Sequence, residues 1–221
     1  QALHAAYQTI PNDRFVHSLH SYFLLPGDLT IPITFKVTEM RNGGSFSTRR
    51  VTAIQKNSTI FILAASFHKK EEGYEHQEPI KTSIKQPEEL LSWSELLSQY
   101  GNFIPSQLRD FLSIERPIDF KPVQILNPME RKDLPPVEDM WFKLKGNTSD
   151  LELTLKHQIL TYISDYNILI AALKPNASKA SIGNTQMASL DHSMWFFRDF
   201  DFNDWMLFSV VSPSTSGARG L

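Results

Sequence analysis

The chain has 221 residues, 41% of them hydrophobic and 21% charged, with a formal net charge of −2. That composition suits a globular protein burying a core in one large domain or two smaller ones, and it excludes the strongly basic surface that nucleic acid or an anionic membrane would need. The absence of cysteine excludes disulfides, a thiol nucleophile and a thiolate zinc site, and the longest apolar runs, such as residues 60–65, are far too short to span a bilayer.

Residues 1–10 read as the tail of a helix, with Leu3, Ala6 and Tyr7 on one face and Pro11-Asn12-Asp13 ending it. Residues 15–25 form a predicted strand closed by Pro26-Gly27-Asp28. Ile31, Ile33, Phe35 and Val37 alternate with polar residues as a half-buried strand does, and Asn42-Gly43-Gly44 turns the chain. Residues 46–54 and 59–67, joined at Lys56-Asn57-Ser58, predict a further hairpin. One helix and four consecutive strands imply an antiparallel sheet packed on a helix.

Residues 68–86 are polar and charged, a solvated connector. Pro87, Glu88 and Glu89 then open a predicted helix running through Leu90, Leu91, Trp93, Leu96 and Leu97 to Gly101, with a shorter helix expected over 107–112. This helical stretch reads as an interdomain connection lying on the surface. Prolines at 117, 122, 128, 135 and 136 punctuate the chain before the pattern restarts. Residues 141–145 predict a strand, and the helical spacing of Leu155, Ile159, Tyr162, Ile163, Tyr166 and Ile170 predicts one long amphipathic helix over about 153–173. Residues 205–212 predict the last strand. Between the two lies Ser189-Leu190-Asp191-His192-Ser193-Met194-Trp195-Phe196-Phe197. Its alternation gives two faces, both carrying bulky apolar groups, so this strand is expected to be covered on both sides. A carboxylate there is costly unless it is hydrogen-bonded or beside a cavity that admits water. On its chemistry alone, Asp191 is either a paired or capped structural group or a group used for chemistry.

The second half repeats the order of the first. Leu19-His20-Ser21-Tyr22-Phe23 and His192-Ser193-Met194-Trp195-Phe196 share a His-Ser pair followed by aromatics, about 170 residues apart, and only the second copy has an acid before the pair. The chain starts at Gln1 and stops at Leu221 just after a strand-like segment, so it is expected to be a piece of a longer protein. Three Asn-x-Ser/Thr sequons, at Asn57, Asn147 and Asn176, are better explained by chance than by glycosylation.

These landmarks carry a resemblance. His17-Ser18-Leu19-His20-Ser21-Tyr22-Phe23, Pro26-Gly27-Asp28 and residues 45–51 resemble the first half of a type II acyl-CoA thioesterase. Ser164-Asp165-Tyr166, the Asp191-to-Phe196 run and Ser216-Gly217-Ala218-Arg219-Gly220 resemble its second half, in the family's order and over nearly the whole chain. The resemblance implies an α+β double hot dog, two antiparallel sheets each wrapped around a long helix, here truncated at both ends. It divides the chain into a first hot-dog half over 1–68, a connector with helices over 69–136, and an incomplete second half over 137–221.

The implied activity is hydrolysis of fatty acyl-CoA to free fatty acid and coenzyme A without a covalent intermediate. In the family an Asp, a Thr or Ser hydroxyl and a Gln amide hold and polarise the attacking water. The Asp matches Asp191; the hydroxyl falls in 212–216, where Thr215 is favoured and Ser212 is the rival. The family's Gln lies on a strand beyond the Arg-Gly segment, past the last residue, Leu221, and Gln186 is not promoted to its role. No cofactor and no metal are expected. The implied partners are a fatty acyl-CoA substrate and further copies of the chain, with no nucleic acid and no membrane insertion, and the compartment is peroxisomal in a eukaryote or cytoplasmic in a bacterium. Two alternatives are a hot-dog enoyl-CoA hydratase or dehydratase, and a non-catalytic acyl-CoA-binding or assembly module.

Other residues are weighed against these. His157 and Asp165, eight residues apart, suggest a structural pairing or packing role rather than a metal site. His192 is expected to point away from Asp191 as a satisfied structural histidine. Arg49, Arg50 and Arg219 are candidate contacts for coenzyme A phosphates or else solvated surface arginines. No Gly-x-Ser-x-Gly elbow supports a serine hydrolase.

Overall fold

A computed structural model describes residues 1–80, 83–104, 106–125, 130, 132–181 and 183–221. Pro128, one of the proline breaks, lies outside them. The chain divides into two compact units: Gln1–Gln77 with Leu151–Asp165 and Ala188–Phe200, and Glu78–Asp150 with Tyr166–Met187 and Asp201–Leu221. Compactness thus follows space rather than sequence order, because parts of the second half of the chain join the first unit.

In the first unit, α1 (Ala2–Tyr7), β1 (Arg14–Phe23), β2 (Thr34–Asn42), β3 (Phe46–Gln55) and β4 (Ser58–Lys69) follow one another. The strands form an antiparallel sheet in the order β2-β3-β4-β1-β7, where β7 is Asp191–Trp195. The β3–β4 turn is a two-residue hairpin, with Gln55 opposite Ser58 and both Lys56 and Asn57 at positive φ, the backbone that matches strand twist. Ala2, Leu3 and Ala6 of α1 pack with Val16, Leu19, Val51, Leu63, Ala65 and Phe67 on one face of the sheet. The small alanines let the helix approach closely, and each strand supplies alternate residues to this layer. The second helix on this sheet, α4 (Leu153–Ile163), touches both β1 and α1.

The second unit contains α2 (Trp93–Tyr100), α3 (Ser106–Ser113), β5 (Ile118–Pro122), β6 (Val137–Leu144), α5 (Ile168–Leu173), β8 (Met206–Val211), β9 (Thr215–Ser216) and β10 (Arg219–Gly220). Strands β5-β6-β8 form an antiparallel sheet, and β9 and β10 a small hairpin. Ile118 and Phe120 of β5 alternate into the core although prolines flank the strand, which proline permits at strand ends. Sequence reading leaves this strand and the β9–β10 hairpin unassigned.

Four expectations are corrected. The helix expected over 153–173 is two helices, because Asn167 takes a left-handed φ of 59° between them and the Ser164 hydroxyl donates back to the Thr161 carbonyl at 2.9 Å, a local bond that competes with helix continuation. The connector helix begins only at Trp93, where Ser92 and Glu95 form a reciprocal capping box; residues 87–89 are a single 3₁₀ turn. This stretch is not a surface connection, since Leu90 and Leu96 are buried and Trp93 packs on Phe120 at 4.5 Å. The strand expected from Ile31 starts at Thr34, after Pro32, which has no N–H to give to a ladder.

Candidate active site

The two His-Ser pairs meet. Strands β1 and β7 run antiparallel with His20 opposite Ser193 and Ser21 opposite His192, so each pair faces the other in reverse order. Directly opposed residues share a face. His20 and Ser193 are bonded on the outer face (Nδ1 to Oγ, 3.0 Å). On the inner face Ser21 Oγ donates to the His192 carbonyl at 3.0 Å. The internal repeat therefore has a structural use, since the polar pairs fix the register of the two strands.

Asp191 is the first residue of β7, opposite Tyr22, and it lies on the outer face, exposed. Its neighbours on that face are large: Tyr22 is 56% and Trp195 55% exposed. The expectation that both faces are covered is corrected. Only His192, Met194 and Phe196 turn toward the helices, while Asp191, Ser193 and Trp195 do not. The exposed position removes the desolvation cost that a covered strand would impose on the carboxylate.

His192 points inward, as expected from strand alternation. Its Nε2 lies 3.1 Å from Ser164 Oγ, at the C-terminal cap of α4. Burial pushes the imidazole below its ordinary value, and the charges of Asp165 and Asp191 oppose that shift. The next residue, Asp165, accepts a hydrogen bond from Ser189 Oγ at 2.8 Å. His157 is bonded not to Asp165 but to the Tyr7 hydroxyl at 3.1 Å, while the same hydroxyl accepts from the Val16 N–H at 2.9 Å. Phe15, Phe196 and Phe200 surround the His157 ring. Both histidines are thus satisfied structural groups.

The hydroxyl candidates lie in the second unit. Ser212 follows β8, is 5% exposed, and its Oγ has no hydrogen-bond partner among the described residues. Thr215 opens β9, is exposed, and its Oγ1 donates to the Ala172 carbonyl of α5 at 3.3 Å. Gly217 and Ala218, both at positive φ, make the β9–β10 turn. Gly220 rests so close to α5 that a Cβ there would fall 2.8 Å from the Ala172 Cβ.

Arg49 is neither exposed nor a phosphate ligand in waiting. It is 1% exposed and donates to the Thr9 hydroxyl and carbonyl, the Arg41 and Thr48 carbonyls and Asn42 Oδ1. Arg50, Arg219 and Gln186 are exposed. Among the described residues no group of three or more His, Asp or Glu is placed to hold a metal ion, and no helix is long and apolar enough to cross a membrane.

The sequence matches the acyl-CoA thioesterase family over residues 108–221 and the acyl-CoA thioesterase N-terminal domain over residues 1–68. It is 37% identical to acyl-CoA thioesterase 2 of Haemophilus influenzae over 221 residues, covering 100% of this chain and 77% of that protein. The crystal structure of an acyl-CoA thioesterase II, TesB2, from Mycobacterium marinum superposes with a TM-score of 0.79 at 31% identity, covering 100% of this chain and 77% of that one. A hot-dog-fold protein from Alicyclobacillus acidocaldarius superposes with a TM-score of 0.68 at 12% identity, covering 97% of this chain and 73% of that one, a likeness of fold alone. The architecture is the α+β hot dog that the sequence landmarks imply.

Proposed function

This chain belongs to the acyl-CoA thioesterase family, and from that premise we propose that it hydrolyses fatty acyl-CoA to free fatty acid and coenzyme A. The observation that carries the reading is the family match across the chain, with the Asp191-to-Phe196 run as an ordered strand that presents Asp191 to solvent. In the proposed reaction the Asp191 carboxylate takes a proton from water as its oxygen attacks the thioester carbonyl. The tetrahedral intermediate collapses with cleavage of the C–S bond. The proton passes from Asp191 to the departing thiolate, and the acid product ionises in solution. A thioester is reactive enough that a positioned base and an oriented water suffice.

Thr215 is the proposed water-orienting hydroxyl. Its exposure supports that role, whereas the enclosed Ser212 hydroxyl is the rival. Self-association is part of the proposal, supported by the exposed Tyr22 and Trp195, large aromatic side chains of the kind that interfaces cover. The compartment is peroxisomal in a eukaryote and cytoplasmic in a bacterium, an assignment that rests on the family resemblance. The test is hydrolysis of a long-chain acyl-CoA in ¹⁸O-labelled water under single-turnover conditions. Free thiol should appear together with fatty acid carrying the label; an acyl-CoA that stays intact, or a 2-enoyl-CoA assayed beside it that gains water across its double bond without thiol release, overturns the reading.

A further inference from the structure

We propose that Ser164 and Asp165, adjacent residues at the C-terminal end of α4, are positioning residues that set the face and height of Asp191 on β7. The inference rests on the reading of Asp191 as the base. Each grips the chain on a different side of Asp191. Before it, Asp165 Oδ1 accepts from Ser189 Oγ at 2.8 Å. After it, Ser164 Oγ lies 3.1 Å from His192 Nε2 and 3.2 Å from Met194 Sδ. The Ser164 Oγ also donates to the Thr161 carbonyl, 2.9 Å away, so one hydroxyl joins the end of α4 to the inward side chains of β7.

These grips add side-chain anchors to the backbone pairing of β7 with β1. Asp191 is a terminal residue of a five-residue edge strand, and residues 186–190 before it belong to no helix or strand. The backbone bond from Phe23 N–H to the Leu190 carbonyl, 3.0 Å, fixes where the strand starts along β1. Holding His192 inward forces Asp191 outward, because successive side chains of a strand take opposite faces. Anchoring Ser189, two residues earlier, stops the strand start from peeling away. Both anchors come from the turn that ends α4, and a misplacement of about 1 Å at a reacting group costs roughly 10²-fold in rate.

The experiment measures kcat and KM for a long-chain acyl-CoA in Asp165→Ala, Ser164→Ala, Asp165→Asn and Ser164→Thr, beside Asp191→Asn. Asp165→Ala and Ser164→Ala should each lower kcat about tenfold or more, with KM within twofold of the parent. Asp165→Asn keeps an acceptor for Ser189 and Ser164→Thr keeps the hydroxyl, so both should recover most of the loss. Ser189→Ala breaks the Asp165 bond from the other partner and carries the test if alanine at 165 prevents folding. Unchanged kcat in the alanine variants, a loss confined to KM, or no recovery in the conservative variants overturns the proposal. Failure of the base assignment is a separate result, full turnover in Asp191→Asn.

Discussion

At the scale of single residues, polar groups of one chemical type do different work according to what surrounds them. Arg49 is enclosed and saturated with carbonyl and hydroxyl acceptors near the Asn42 turn, so it ties α1 to the sheet. Sequence alone places it among solvated or phosphate-binding arginines because nothing in its neighbours reveals that its face is covered. The two hydroxyls 212 and 215 divide similarly. Thr215→Val should lower kcat by about 10²-fold through loss of water orientation, the larger effect of the two. Ser212→Ala removes a buried hydroxyl without a partner among the described residues, so stability should hold or rise by up to about 1 kcal/mol. Steady-state kinetics and thermal unfolding of both variants decide the assignment, and a greater kcat loss in Ser212→Ala would transfer the role to Ser212.

Elements show the same dependence on context. The β9–β10 hairpin carries Thr215 and is seated on α5 through Gly220, where a methyl group would stand 2.8 Å from the Ala172 Cβ. Gly220→Ala should lift the hairpin from the helix and lower kcat severalfold; Ala172→Gly in the same chain should restore turnover by reopening the contact. Kinetics of the single and double variants check this, and equal activity in Gly220→Ala and the parent would show that the contact has no bearing on Thr215. Strand periodicity, the Asn42-Gly43-Gly44 turn and the Lys56-Asn57 hairpin are legible because each is a local signal. The break at Asn167 is not, since Tyr166 and Ile170 continue the helical spacing across it. Strand β5 hides between prolines, and its pairing with β6 is a long-range fact. The Ser92–Glu95 capping box is present in the Ser-x-x-Glu spacing, but Pro87 with Glu88 and Glu89 is a competing helix-start signal that comes first in the chain.

For the whole molecule, the first unit assembles from three separated stretches of chain, and His157 sits at one of their junctions. Burial pushes its imidazole down from 6.5 to about 4, with the Asp199 carboxylate pulling upward and Lys70 pushing further down. The folded value is the lower one, so the unfolded chain binds more protons between about 4 and 6.5. The stabilisation is therefore complete above pH 6.5 and is lost as pH falls through that window. The unfolding temperature should drop on acidification from pH 7 to 4, less steeply in His157→Gln; equal slopes would show that His157 does not carry the effect. The pairing of the two His-Ser segments gives the internal repeat its meaning, which sequence shows only as a faint likeness. The outward face of Asp191 depends on which side the helices cover, something alternation alone does not decide.

The measurement that tests the account most directly is thiol release from a long-chain acyl-CoA by the parent protein and by Asp191→Asn, with the fold of the variant checked by circular dichroism. Asn keeps the size of the side chain and its exposed position but does not accept the water's proton. The parent should turn over, and folded Asp191→Asn should be slower by at least about 10²-fold in kcat. Undiminished turnover by the folded variant would contradict the assignment of Asp191 as the base.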